Sequence, residues 1–141
     1  MIDCEFGAEI LLKEEIRWKV TDPLGNEIVL YEKNFVDHIK NDHSSKDAEA
    51  RASIEEQVKF SIQSPRFIIK NAIKGRRKYL DLVDVPQDSI KKYRTLTIVV
   101  DFNVKPCEVI TWFARRSMNF EGTDEEMIYD VRIQNHERRP L

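Results

Sequence analysis

The sequence predicts an α+β fold in which an N-terminal hairpin and two helices are followed by a four-stranded antiparallel sheet. Three observations carry this expectation. Apolar and polar residues alternate around Trp18, on one side of the turn segment Asp22-Pro23-Leu24-Gly25-Asn26. Ala50, Ile54, Val58 and Ile62 recur at strict four-residue intervals. After Pro65 the chain turns to β-forming runs punctuated by Gly75, Pro86 and Pro106. With 141 residues, no internal repeat and no Gly/Ser/Pro-rich linker, the chain is expected to form one domain over residues 1–141.

The elements follow in order. Ile16, Trp18 and Val20 lie on one face and Arg17, Lys19 and Thr21 on the other, the pattern of a half-buried strand. Pro23 presets φ and Gly25 tolerates a positive φ, so the chain reverses and resumes β-type residues at Ile28 to Tyr31. Asn34 is placed to cap a short helix with Phe35, Val36 and Ile39 as its apolar stripe, fraying at Asn41-Asp42. Asp47 is placed to cap the longer second helix, rich in Ala and Glu, which Ser64-Pro65 ends. Strands are expected at Phe67 to Lys70, Tyr79 to Val83, Leu96 to Phe102 and Glu108 to Arg115. The run Leu96 to Val100 is the most apolar and reads as a central strand. In the last strand either Val109, Thr111 and Phe113 or Ile110, Trp112 and Ala114 faces the helices. Thr123-Asp124-Glu125-Glu126 has capping-box spacing and predicts a short helix through Met127 and Ile128, before a polar tail from Asn135 to Leu141.

Composition narrows the function classes. Cys4 and Cys107 are too few for a secreted disulfide framework, and Cys107 in an apolar stretch reads as a buried thiol. No apolar run is long enough for a membrane span, and the acidic opening MIDCEFGAEI lacks the positive region of a signal peptide, so a cytoplasmic location is expected. The balance of 23 basic and 25 acidic residues, net −2, argues against coating nucleic acid through net charge. The distribution is uneven: Arg66, Lys70, Lys74, Arg76, Arg77 and Lys78 cluster without an acidic neighbour, while Glu121 to Asp130 is acidic. Nucleotide-cradling glycine loops and the hydrolase elbow motif are absent.

His38 and His43 are the first candidates for chemistry, because histidine takes and gives protons near neutrality. Five positions turn them about 140° apart on a helix, unlike the spacing of paired zinc ligands, so no metal or other cofactor is implied. An ordinary surface His38 and a His43 that interacts with the helix C-terminus account for the same spacing. The basic turn Lys74-Gly75-Arg76-Arg77-Lys78 next to Tyr79 has the character of a phosphate-contacting loop, with guanidinium forks for phosphate and an aromatic ring for a base. A solvated hairpin tip explains it equally. Arg115 and Arg116 would add to that charge if their strand is adjacent, and Thr111 is either a β-former or a phosphate-binding hydroxyl.

Taken in order, Asp22 to Leu30, Phe35 to His43 with its H-I-x-x-x-H core, Ser64-Pro65, Lys78-Tyr79-Leu80, Leu96 to Val100 and Ile110-Thr111-Trp112-Phe113 resemble one family. It comprises the phage and mobile-element nuclease-like proteins grouped with barnase, EndoU, colicin ribonucleases and RelE. The resemblance covers residues 16–116 and leaves 117–141 as a C-terminal extension. It implies two helices before a four-stranded antiparallel sheet on whose open face RNA is cleaved without a metal. Carried over residue by residue, it implies catalytic roles for His38, His43, Tyr79 and Thr111, with Arg77 and Arg115 as the cations. It further implies RNA as substrate, transfer or messenger RNA among the choices, and a cognate immunity or antitoxin protein as partner. The competing expectation is a non-catalytic module that keeps the fold and binds a protein or RNA.

Overall fold

The computed structural model describes residues 15–40, 45–84, 93–115 and 126–133. His43, Asn41-Asp42, Cys4, Pro86, Arg116, the first three capping-box residues from Thr123 and the tail from Asn135 lie outside them.

The first hairpin forms where the alternation places it. β1 (Ile16–Thr21) and β2 (Glu27–Tyr31) pair antiparallel, Val20 opposite Ile28. Their turn is built on Asp22, whose carboxylate accepts from the Leu24 and Asn26 backbone N–H groups at 3.0 and 2.8 Å. Gly25 supplies the positive φ of 89° that closes it.

After β2 the chain enters a helical turn, α1 (Glu32–Asn34), which continues as a π-helical turn over Phe35–Lys40. The sequence reading started this helix at an Asn34 cap. Instead Tyr31 precedes the first turn and the Asn34 amide donates across to the Val109 carbonyl. Next come α2 (Ser45–Ser53) and α3 (Glu55–Gln63), two segments where one helix was expected. Asp47 therefore falls inside α2 rather than at its cap.

The break at Ile54 has a local cause. In an unbroken helix the Ala50 and Arg51 carbonyls would accept from Ile54 and Glu55. Instead Ala50 accepts the Ser53 hydroxyl at 2.7 Å, and Arg51 accepts the Trp112 indole N–H at 3.0 Å and the Ile54 N–H at 3.4 Å. Side chains inserted into the ladder interrupt it.

The sheet corrects the expected architecture. Among the described residues it has seven strands in the order β1-β2-β6-β5-β4-β3-β7, adding β3 (Phe67–Lys70), β4 (Arg76–Asp84), β5 (Tyr93–Asp101), β6 (Cys107–Arg115) and β7 (Met127–Asp130) to the hairpin. It is mixed, because β2 runs parallel to β6, with Ile28 opposite Cys107 and Val29 opposite Glu108. Two contacts thus replace the four-stranded antiparallel sheet after two helices: the hairpin docks on β6, and β7 docks on the far side of β3. Met127 and Ile128, where capping-box spacing predicts a short helix, lie instead in the extended β7 because β3 offers it a backbone edge, with Ile68 opposite Tyr129.

β5 is the central strand. Leu96, Ile98 and Val100 form one core with Ile54, Val58 and Ile62 from the helices, each of them at most 2% exposed. Each such side chain contributes about 1.5–3 kcal/mol by leaving water. A bulge shifts the β5–β6 register between Val99 and Val100, so Val109 and Trp112 both enter this core. Neither alternating set of β6 faces the helices as a whole. On the other face Leu80 and Thr97 are 0% and 1% exposed, so the middle of the sheet presents no open platform on either side. No helix among the described residues is long and apolar enough to cross a membrane.

Candidate functional site

β2 pairs with β6 only through Ile28 and Val29, and the chain then turns away into α1. The helical and π-helical turns and α2 pack against β6, and Asn34 and Arg51 donate to its Val109 and Trp112 carbonyls. The length of β6 beyond Glu108 is therefore flanked by helices on that side. The arrangement brings backbone and side-chain polar groups together at one place on the sheet edge.

Arg51 occupies that place. Its Nη1 donates to the Thr111 hydroxyl at 3.2 Å and to the Trp112 carbonyl, while the Trp112 indole donates back to the Arg51 carbonyl. Trp112 is fully buried, and its ring meets Phe35 at a centroid distance of 6.3 Å. The Trp112 bond at the helix break is thus also the one that holds the Arg51 backbone against β6. His38 is exposed on the π-helical turn that packs against the same strand, anchored by buried Phe35 and Ile39 on either side of it. A guanidinium, a hydroxyl and the turn bearing an imidazole converge on one half-buried edge. Such a set can bind a phosphate, stabilise charge on its oxygens and transfer a proton.

The remaining residues implied by the resemblance lie elsewhere. Tyr79 is opposite Ile98 and Thr111 opposite Val99, so the two side chains leave opposite faces of the sheet. Tyr79 is fully buried, and its hydroxyl donates to the Asp22 carboxylate, itself 4% exposed. Burial pushes the phenol pKa far up, the bond to Asp22 and its negative charge add to this, and Arg77 opposes it. The phenol keeps its proton and acts as a donor to Asp22. Arg77 lies two residues back on the same face, its guanidinium 4.1 Å above the Phe102 ring. Arg115 shares the Thr111 face, two strand steps further on, and is stacked 4.9 Å from the Phe113 ring. Thr111 therefore groups with Arg51 beside the turn that bears His38, Arg115 lies four residues further along the same face, and Arg77 and Tyr79 form another group near the first hairpin turn. His43 lies outside the described residues.

Arg51 is a candidate-site residue that the sequence alone does not single out. Its one local signal is a lone cation in the Ala-rich turn Ala48 to Ala52, directly beside the apolar stripe residue Ala50. Cys107, read as a buried thiol, is 1% exposed with the Lys105 ammonium 3.5 Å from its sulfur. No group of three or more His, Cys, Asp or Glu side chains among the described residues is placed to hold a metal ion. No protein-family model, curated protein or solved structure matches this chain.

Proposed function

We propose that the chain is a metal-independent endoribonuclease of the toxin-like kind, acting at the β6 edge rather than on a sheet face. The observation that carries this reading is the Arg51 guanidinium held on the Thr111 hydroxyl, on the strand against which the His38 turn packs. In the reaction the RNA 2′-oxygen bonds to the adjacent phosphorus and the bond from phosphorus to the 5′-oxygen breaks. The products are a cyclic phosphate and a free 5′-hydroxyl. His38 exchanges protons with the attacking or leaving oxygen, while Arg51 and Thr111 hold the phosphoryl oxygens as charge develops on them. Arg115, on the Thr111 face, contacts the strand beyond the reacting phosphate. This reading places the protein in the cytoplasm, with transfer or messenger RNA as substrate and a cognate immunity or antitoxin protein as its restraint.

A second reading, a non-catalytic RNA- or protein-binding module, is favoured by the placement of the candidate residues on opposite faces of the sheet. Tyr79 and Arg77 serve packing and stacking, on the face opposite Thr111.

Incubation of total RNA with the purified protein in excess chelator separates the two. The ribonuclease yields discrete fragments with cyclic phosphate ends, lost in His38→Ala. Intact RNA across a wide range of protein concentration rejects the enzyme and leaves the module.

A further inference from the structure

Two turns at one end of the sheet are fastened together. The turn over 71–75 joins β3 to β4, and the turn over 102–106 joins β5 to β6. The Phe102 N–H donates to the Gly75 carbonyl at 2.7 Å, and the Asn103 amide donates to the Lys74 carbonyl at 3.2 Å and to the Asp101 carboxylate at 2.9 Å. Gly75 has a φ of 83°, and a Cβ there would overlap the Asn103 side chain. The turns are therefore held in one arrangement.

That arrangement gathers cations around an aromatic ring. Arg77 lies 4.1 Å and Lys105 5.1 Å from the centre of the half-buried Phe102 ring, and Lys74 is exposed on the facing turn. None of the three has a carboxylate within ion-pair distance among the described residues, whereas Arg17, Lys19, Arg66 and Lys70 each have at least one. Three nearby carboxylates are engaged: Asp101 accepts two bonds from Asn103, Asp22 accepts from Tyr79 and Asn26, and Glu27, which lines a hollow shared with Lys105, pairs with Lys19 at 3.1 Å. Ile73 and Val104, 54% and 39% exposed, stand on the same tips. Lys105 also lines an open hollow of about 590 Å³ beside the first hairpin turn.

Cations without a directly paired carboxylate, held beside a ring and apolar tips, fit a repeating anion that carries apolar groups. Single-stranded nucleic acid has that chemistry, its phosphates drawn by charge and its bases by aromatic and apolar surface. We infer that the joined turns form a subsite for the phosphate backbone of a single-stranded nucleic acid, separate from the β6 edge. The inference extends the ribonuclease reading, and its test uses a strand that cannot be cut, so each stands or falls alone.

The measurement is fluorescence anisotropy of the full chain with a short labelled 2′-O-methyl RNA between 50 and 200 mM salt. Three contacts give a slope of log affinity against log salt of roughly −2, and each lost contact reduces it by about 0.7. Lys105→Gln and Lys74→Gln alter exposed side chains, with folding checked by circular dichroism; each is expected to show that reduction. Arg77→Lys is expected to retain more of the slope than Arg77→Gln. Slopes unchanged in the Lys105 and Lys74 variants overturn the inference. So does binding to vesicles of anionic phospholipid without binding to the strand.

Discussion

Tyr79→Phe separates a structural from a catalytic role for this ring with the loss of one oxygen atom. The phenol donates to a carboxylate that is 4% exposed, and the ring fills the core between the helices and the sheet. Phenylalanine keeps that shape. What is lost is one hydrogen bond to a buried charge, worth about 1.5–3 kcal/mol when the acceptor stays ionised. Asp22 retains its bonds from the Leu24 and Asn26 N–H groups and the Asn26 amide, so the estimate falls at about 2 kcal/mol. For a chain of 141 residues that lowers Tm by roughly 6–10 °C. The pH dependence has a definite sign. The folded phenol pKa is raised, so above its ordinary value of 10.0 the unfolded chain releases a proton that the folded one keeps. The parent therefore loses stability as pH rises past that value, and Tyr79→Phe loses less. Thermal melts at neutral and alkaline pH, run beside an RNA cleavage assay, measure both. A variant that melts like the parent but no longer cleaves RNA would instead assign Tyr79 a catalytic role.

Gly75→Ala is expected to cost clearly more than Gly25→Ala in denaturant unfolding. Both residues have positive φ, but a Cβ at Gly25 meets open space, giving about 1–2 kcal/mol, whereas at Gly75 it displaces Asn103. Glu55→Gln is expected to flatten the acid limb of the stability curve. Burial raises the Glu55 pKa, but bonds from Arg17 and Trp18 and the Arg17 charge outweigh this and hold it below its ordinary 4.5. The stability this gives is present above that value and is lost as pH falls through the lowered pKa. Melts of parent and variant from neutrality into that acid range check the difference in slope. Trp112→Phe removes the indole donor to the Arg51 carbonyl and is expected to lower the cleavage rate along with stability. Cleavage unchanged at a temperature where the variant is folded would separate the helix break from the site.

The strand cores were legible because their signals are local. Ile16, Trp18 and Val20 alternate before a turn that Asp22 closes within four residues, and the helix break leaves the Ala50 to Ile62 stripe intact on either side. What escaped the reading depends on contacts distant in sequence. No local pattern in Ile28-Val29 announces a parallel partner at Cys107-Glu108, and nothing in Met127 to Asp130 announces the edge of β3. Tyr79 beside a basic turn has the local look of a stacking residue, and its partner Asp22 is 57 positions away. Arg51 acquires its role from the place where β2 leaves β6 uncovered, a property of the assembled sheet. The candidate histidine and threonine could be named from their neighbourhoods; whether they share a site is a matter of topology.

The most direct test of the β6-edge site is the single-turnover cleavage rate of a labelled RNA by Arg51→Gln and Arg51→Lys, with folding followed by circular dichroism. Loss of one donor to the developing phosphoryl charge predicts a rate lowered by about 100-fold or more in Arg51→Gln. Arg51→Lys keeps the charge and recovers part of that loss, with substrate affinity much less affected than rate. Arg51→Gln that is folded and cleaves at the parent rate would contradict the account and remove the β6 edge as the place of chemistry.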